Sequence, residues 1–88
     1  MEKLNWEELE LNKIYKYEEK HFFQAVVKIL NKEIVDNYIS IDLEILELVY
    51  GETDNNFIRV SKTLDPKYKY LVEAWFLDKE ADFEYFIG

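Results

Sequence analysis

The stretch that decides the fold class is Tyr38–Tyr50, with the sequence YISIDLEILELVY. Over its first eight residues, apolar and polar side chains alternate: Ile39, Ile41, Leu43 and Ile45 share one face, and Tyr38, Ser40, Asp42 and Glu44 share the other. A period of two is that of a half-buried β-strand. The alternation slips after Ile45, where apolar Leu46 stands in a polar position. We therefore predict a β-bulge between Ile45 and Glu47 that bends the strand.

Other segments on both sides of this strand also fit a sheet. Their β-branched and aromatic content predicts short strands at 14–17, 23–30, 57–62 and 83–87. A tight turn at 12–13, a polar loop at 31–37 and a turn at 51–56 would connect them. Asn5 and Glu8 have the spacing of a capping box, which predicts a short helical turn near the N-terminus.

Residues 66–77 fit two templates. Helical spacing relates Tyr68, Leu71, Val72, Trp75 and Phe76, and Asp65-Pro66 suits a helix start. A period of two relates Tyr68, Tyr70, Val72, Ala74 and Phe76. We favour the strand, because Lys67 and Lys69 would oppose the positive end of a helix dipole. The predicted fold is mainly β, a small barrel or strongly bent antiparallel sheet of about five or six strands. An α+β fold with a C-terminal helix at about 66–77 is the alternative.

Composition limits the functions that this chain can have. Its 88 residues suit a single domain spanning 1–88, and a content of 49% apolar and 17% aromatic residues is too high for disorder. The net charge of −8 opposes direct binding to nucleic acid, and the lack of cysteine excludes thiol chemistry. No apolar run approaches the roughly 20 residues of a membrane span, and the N-terminus lacks the pattern of a signal peptide. We therefore expect a cytoplasmic protein.

The order of segments resembles a known group of small folds. Residues 9–15, 23–30 and 43–48 follow one another as a short turn into a strand and then further bent strands. In this order residues 9–62 resemble SH3-like small β-barrels. The acidic loop and paired aromatic residues of signalling SH3 domains are not identifiable, so the resemblance implies a fold and carries no function.

Candidate catalytic groups are few. His21, Ser40 and Ser61 are the residues from which a Ser-His-Asp arrangement would have to be built. Asp42 and Glu44 share a strand face, as paired carboxylates do in acid–base catalysis, but a chain with 19 acids places some pair together by chance. We interpret these residues as a turn histidine and a solvated strand face, and predict no catalytic residues.

Metal and phosphate sites are equally poorly supported. The spacing of Glu52, Asp54 and Asn56 is that of the start of a calcium loop, but the required glycine and the distal glutamate are missing. With only Gly51 and Gly88, no glycine-rich phosphate loop can form. We predict neither a metal site nor a cofactor.

Charge is unevenly distributed along the sequence. Residues 31–56 contain one Lys and seven acids, a net −6, whereas residues 57–72 contain four bases and one acid, a net +3. Residues 73–88 return to −4. If the strand at 57–62 pairs with the preceding one, Arg59 and Lys62 would lie near Asp42, Glu44 or Glu47. A charge-balanced hairpin and an acidic face that attracts a basic partner both fit this pattern.

Tyrosine and tryptophan are more abundant than a small core requires. Such residues are favoured at interfaces because they bury area and keep a polar group. We therefore predict a small non-enzymatic domain that binds a protein with a basic surface, through Asp42, Glu44, Glu47, Tyr38, Tyr50, Tyr68 and Tyr70. The alternative is a structural subunit that forms homo-oligomers, or joins a larger assembly, through a Tyr/Phe-rich surface. Ten of its 11 basic residues are Lys, which suggests an AT-rich genome, that of a low-GC bacterium or phage.

Overall fold

A computed structural model describes residues 3–20 and 22–81, which form one curled, unclosed antiparallel sheet. Its strands are β1 (Lys3–Leu4), β2 (Ile14–Glu19), β3 (Phe23–Val35), β4 (Tyr38–Tyr50), β5 (Phe57–Thr63) and β6 (Ala74–Asp78). They lie in the order β1-β6-β2-β3-β4-β5. The mainly β prediction is confirmed, and the strand predicted at 83–87 lies outside the described residues.

The predicted helical turn is also confirmed. A 3-10 turn occupies Trp6–Glu8, and the side chain of Asn5 accepts a hydrogen bond from the N–H of Glu7 at 2.9 Å. The carboxylate of Glu8 accepts one from the N–H of Asn5, also at 2.9 Å, which completes the capping box. The capping residues predicted from the local sequence are therefore the ones that begin this turn.

The long strand and its bulge match the sequence pattern. β4 begins at Tyr38 and ends at Tyr50, as expected. Val26 pairs with Glu47 and Val27 pairs with Ile45, so Leu46 has no partner residue on β3 and forms the predicted bulge. Two more shifts, at Leu30 and Val49, bend the same hairpin. Repeated bending lets two strands of 13 residues each curl around one core.

The loop expected at 31–37 is wrong, because β3 continues to Val35. The hairpin turn is confined to Asp36 and the residue after it, and Asp36 takes a left-handed φ of 54°. The charged Lys32 favoured a loop in the sequence pattern, but it lies on the inner face of the strand, opposite the core residue Ile41. Its ammonium donates hydrogen bonds to the carbonyls of Trp6 and Leu9. These bonds allow a charged side chain to lie on the inner face.

Side chains on the inner face of the curl form the core. Its strand residues alternate with polar ones, as a sheet with one buried face requires. Full burial of one such aliphatic or aromatic side chain contributes about 1.5–3 kcal/mol. The core consists of Leu9, Tyr15, Tyr17, Phe23, Ala25, Val27, Ile29, Ile39, Ile41, Leu43, Ile45, Val60, Leu71, Ala74 and Phe76.

Residues 66–77 contain neither a helix nor a continuous strand. A turn with left-handed Lys69 (φ 59°) leads to Leu71, which bridges to Leu64 just after β5. Glu73 is again left-handed (φ 59°), and from Ala74 the chain pairs with β2 instead. The helix alternative is wrong, and the strand alternation holds only from Ala74 onward. The kink at Glu73 breaks both periods, since the chain leaves the side of β5 there and enters the sheet between β1 and β2.

A polar contact joins the two sides of the curl between β2 and β5. Lys62 points inward from β5 and forms an ion pair with Glu19 of β2 at 3.2 Å. The hydroxyl of Tyr17 donates to the other oxygen of Glu19 at 2.7 Å. Burial raises the pKa of Tyr17 well above its usual value, and the neighbouring Glu19 carboxylate raises it further. This group, Tyr17, Glu19 and Lys62, is called the seam contact below.

Candidate protein-interaction face

Five outward residues of β4 lie along one face, which we call the β4 ridge: Tyr38, Asp42, Glu44, Glu47 and Tyr50. Each lies opposite a residue of β3, from exposed Val35 beside Tyr38 to buried Gln24 beside Tyr50. Directly opposed residues in an antiparallel pair share a face. The structure thus brings five of the predicted binding residues onto one face, although the Leu46 and Val49 bulges interrupt the row. The strict alternation before Ile45 explains why sequence located the first half of it.

Asp42, one of the three acids predicted at the centre of the acidic face, forms an ion pair. The guanidinium of Arg59 on β5 donates to both carboxylate oxygens, Nε to Oδ1 at 2.8 Å and Nη2 to Oδ2 at 3.3 Å. These hydrogen bonds hold the pKa of Asp42 below its usual value. The predicted proximity of Arg59 to Asp42 is confirmed, whereas the predicted position of Lys62 is wrong because that residue points inward to Glu19.

Farther along the ridge lie two acids, Glu44 and Glu47, for which the described residues supply no salt bridge. Glu44 has Lys28 and Phe57 as its cross-strand neighbours, and Glu47 has Val26. In the part of the chain that the structure describes, no salt bridge involves Glu44 or Glu47. The acidic centre of the face is therefore at Glu44 and Glu47, two to five residues from Asp42.

The Tyr38 end of the ridge is apolar and exposed. Tyr38 (55% exposed) lies between Val35 (61%) on β3 and Thr63 on β5. The carbonyl of Thr63 accepts a hydrogen bond from the N–H of Val72 at 2.9 Å, so Val72, 44% exposed, extends the same row. One face therefore carries both acidic residues and an exposed apolar end.

The remaining two predicted residues, Tyr68 and Tyr70, lie on the turn before β6 and not on β4. Their rings stack with centroids 6.2 Å apart and an interplanar angle of 26°. Together with Lys3 and Trp75 they line a shallow groove beside β1 and β6. The ammonium of Lys3 lies 3.8 Å from the Trp75 ring centroid, a cation–π contact. We call this the tyrosine turn; it meets the β4 ridge through Val72.

A third exposed feature was missed by the sequence analysis. Leu46, Leu48 and Val49 are all exposed, as are the nearby aromatic residues Tyr50 and Phe57. β5 pairs with β4 only up to Glu44, so the later part of β4 has β3 on one side and no described strand on the other. The slip in alternation at Leu46 was the available signal, and it indicated an exposed apolar segment as well as a bulge.

The candidate chemical groups are separate or engaged in structural contacts. Ser40 and Ser61 face each other on neighbouring strands and share a hydrogen bond of 2.8 Å, while His21 lies outside the described residues. Glu52, Asp54 and Asn56 occupy an exposed or half-exposed turn. Within residues 3–20 and 22–81, no three His, Asp or Glu side chains are grouped as a metal site requires. Among these residues, no helix is long and apolar enough to cross a bilayer.

Comparison with known proteins gives no family for this chain. No protein-family model matches it, and no match was found among curated proteins or solved structures. Function has to be inferred from the surface chemistry of the described residues.

Proposed function

We propose that this chain is a small acidic, non-enzymatic protein-interaction domain that binds a basic protein surface through the β4 ridge. The observation that carries the proposal is the placement of Glu44 and Glu47 on the same outer face as exposed Tyr38, with no ion-pair partner among the described residues. Clustered like charge attracts an opposite surface over several ångströms, and an exposed tyrosine supplies apolar contact after docking.

The finer parts of the proposal concern fold group and source. The curled antiparallel sheet is compatible with a small β-barrel-like fold, and we assign it to the SH3-like group on the segment order of residues 9–62. From the preference for Lys over Arg, we infer a low-GC bacterium or phage as the source. In that setting, a small acidic domain could occupy a basic surface that would otherwise bind DNA or RNA.

Charge reversal on the ridge tests this function. In the variant Glu44→Lys/Glu47→Lys, we expect loss of the basic proteins that the immobilised wild-type chain retains from bacterial lysate at low salt. The matched control is Glu10→Lys/Glu80→Lys, which makes the same change in net charge at two exposed acids elsewhere. Equal retention by both variants would contradict the ridge as the binding site, and no basic protein retained by the wild type would contradict the function itself.

The second candidate is a homo-oligomer or assembly subunit. It is favoured by the exposed apolar row of Val35, Tyr38 and Val72 at the hairpin end, which a second copy could cover. Light scattering distinguishes the two candidates: a chain that stays monomeric at millimolar concentration would contradict the homo-oligomer, and an oligomer disrupted by Val35→Lys would favour it.

A further inference from the structure

The second half of β4 has an unpaired backbone edge. Along the edge of β4 that faces away from β3, β5 pairs with it only from Tyr38 to Glu44. One further hydrogen bond joins the N–H of Ile45 to the carbonyl of Asn56 at 2.6 Å. Past that bond, no strand described in 3–20 or 22–81 pairs with this side of residues 46–50, which we call the 46–50 edge. An unpaired edge presents N–H and C=O groups that another strand can bind.

The side chains of this edge are apolar and exposed. Leu46 is 47% exposed, Leu48 41% and Val49 49%. The bulges at Leu46 and Val49 shorten the regular part of the edge. The edge therefore suits one short added strand better than continued pairing with many strands, since bulges twist an edge away from flat pairing.

The charge around the edge determines the kind of occupant. Glu44, Glu47, Glu52 and Asp54 surround it, and no Lys or Arg occurs between residues 33 and 58. A second copy is a poor fit, because pairing two 46–50 edges would bring the same acidic residues of both copies together. Like charges directly opposite each other destabilise a strand pair, whereas Lys or Arg at those positions would stabilise it.

We propose that the 46–50 edge binds an extended, Lys/Arg-containing segment of a partner protein as an added β-strand. The proposal rests on the proposed function and gives its binding mode. Main-chain hydrogen bonds to residues 46–50 hold the segment, and its alternate apolar side chains cover Leu48 and its neighbours. Its basic side chains lie beside Glu47 and Glu52, which fixes its register.

A short capped peptide of alternating Lys and Val is the probe. Its control has every Val replaced by Pro, which keeps the charge but removes the N–H groups that a strand needs. We expect the Lys/Val peptide to bind the wild-type chain in a fluorescence anisotropy titration, and the Pro peptide to bind at least about tenfold more weakly. Equal binding of the two peptides would overturn the proposal, because charge alone would then explain the affinity.

A matched pair of variants locates the site. Val49→Lys and Val35→Lys make the same change at exposed valines near opposite ends of the β3–β4 hairpin. We expect Val49→Lys to weaken the Lys/Val peptide about tenfold and Val35→Lys to leave its affinity near the wild-type value. A similar loss in both variants would overturn the assignment to this edge.

Hydrogen exchange reports the binding mode directly. Bound Lys/Val peptide should slow exchange of amides within residues 46–50, as new main-chain hydrogen bonds would. Unchanged exchange there, with the peptide bound, would overturn strand addition. If the peptide fails but Glu44→Lys/Glu47→Lys still loses the retained basic proteins, the edge proposal falls and the proposed function stands; if neither effect occurs, both fall.

Discussion

The two halves of β4 have similar proportions of apolar residues and very different surroundings. In residues 38–45, every second side chain is buried, and the strand has a neighbour on each side. In residues 46–50, every side chain is exposed and only β3 pairs with the backbone. Burial in this sheet therefore depends on having two neighbouring strands and an unbroken period. The apolar residues of 46–50 have neither, and they are exposed.

Truncation of one apolar residue in each half gives the largest expected contrast. Ile41 is fully buried, so Ile41→Ala should lower the free energy of unfolding by about 2–5 kcal/mol, since it removes contacts and leaves a cavity. Leu48→Ala, at an exposed position, should cost less than about 1 kcal/mol. Urea denaturation of both variants measures the difference, and equal losses would show that the second half is also part of the core.

The second half of β4 ends at Tyr50, and the turn that follows begins with Gly51. Its φ of 100° is costly for any other residue, and an added Cβ would lie 2.5 Å from the carbonyl oxygen of Phe22. Gly51→Ala should therefore destabilise the fold by about 1–3 kcal/mol in the same denaturation experiment. The neighbouring exposed Glu52→Ala is the control and should have almost no effect. A neutral Gly51→Ala would mean that the turn relaxes freely and is not fixed against Phe22.

The seam contact ties β5, which pairs with the first half of β4, to β2. Tyr17→Phe removes the hydrogen bond to Glu19 and should cost about 1 kcal/mol. Because the folded pKa of Tyr17 is raised, its contribution is fully present below the unfolded value of about 10 and is lost as pH rises above it. Urea midpoints measured across that alkaline range should therefore fall more steeply for the wild type than for Tyr17→Phe. Parallel curves would contradict this role for the phenol.

The smallest effect is expected on the outer face of the first half. Arg59→Leu should raise the pKa of Asp42 to its ordinary range, as followed by NMR titration of the carboxyl carbon. Because the pKa of Asp42 is lowered in the fold, any stabilisation by the pair exists above the unfolded pKa and is lost as pH falls through the folded one. The pair is solvent-exposed, so high salt should weaken it and the unfolding midpoint should hardly move. An unchanged Asp42 pKa in Arg59→Leu would show that the contact is absent in solution.

The sequence predicted the elements in which local pattern and long-range packing agree. The alternation of Tyr38–Tyr50 gave the strand, its bulge and one outer face, and the capping box gave the N-terminal turn. The continuation of β3 could not be predicted, since Lys32 occupies a core position only because the carbonyls of Trp6 and Leu9 lie within reach. The left-handed kink at Glu73 is set by two sheet edges distant in sequence, and no glycine marks it.

The candidate site likewise has residues that the sequence pattern predicted and features that depend on tertiary structure. Asp42 and Glu44 were placed by strand period, and the pairing with Arg59 by charge on adjacent strands. Tyr68 and Tyr70 were selected on composition alone, and their turn could not be joined to the ridge without the contact between Thr63 and Val72. The free 46–50 edge depends on where β5 begins to pair, a tertiary property that residues 46–50 do not encode.

The position of β6 between β1 and β2 has a consequence for biosynthesis. The β3–β4–β5 meander pairs neighbours in sequence and can form as soon as it leaves the ribosome. β2 can also pair with β3 at this stage, but its other edge must wait for β6, because Tyr15 pairs with Asp78; among the described strands, β1 pairs with β6 alone. Until then, one edge of β2 and the site of Phe76 in the core are open to solvent or to a chaperone. We expect the insertion of β6 to be the slowest step in forming the described sheet, at a rate set by closure of the loop between Tyr15 and Asp78.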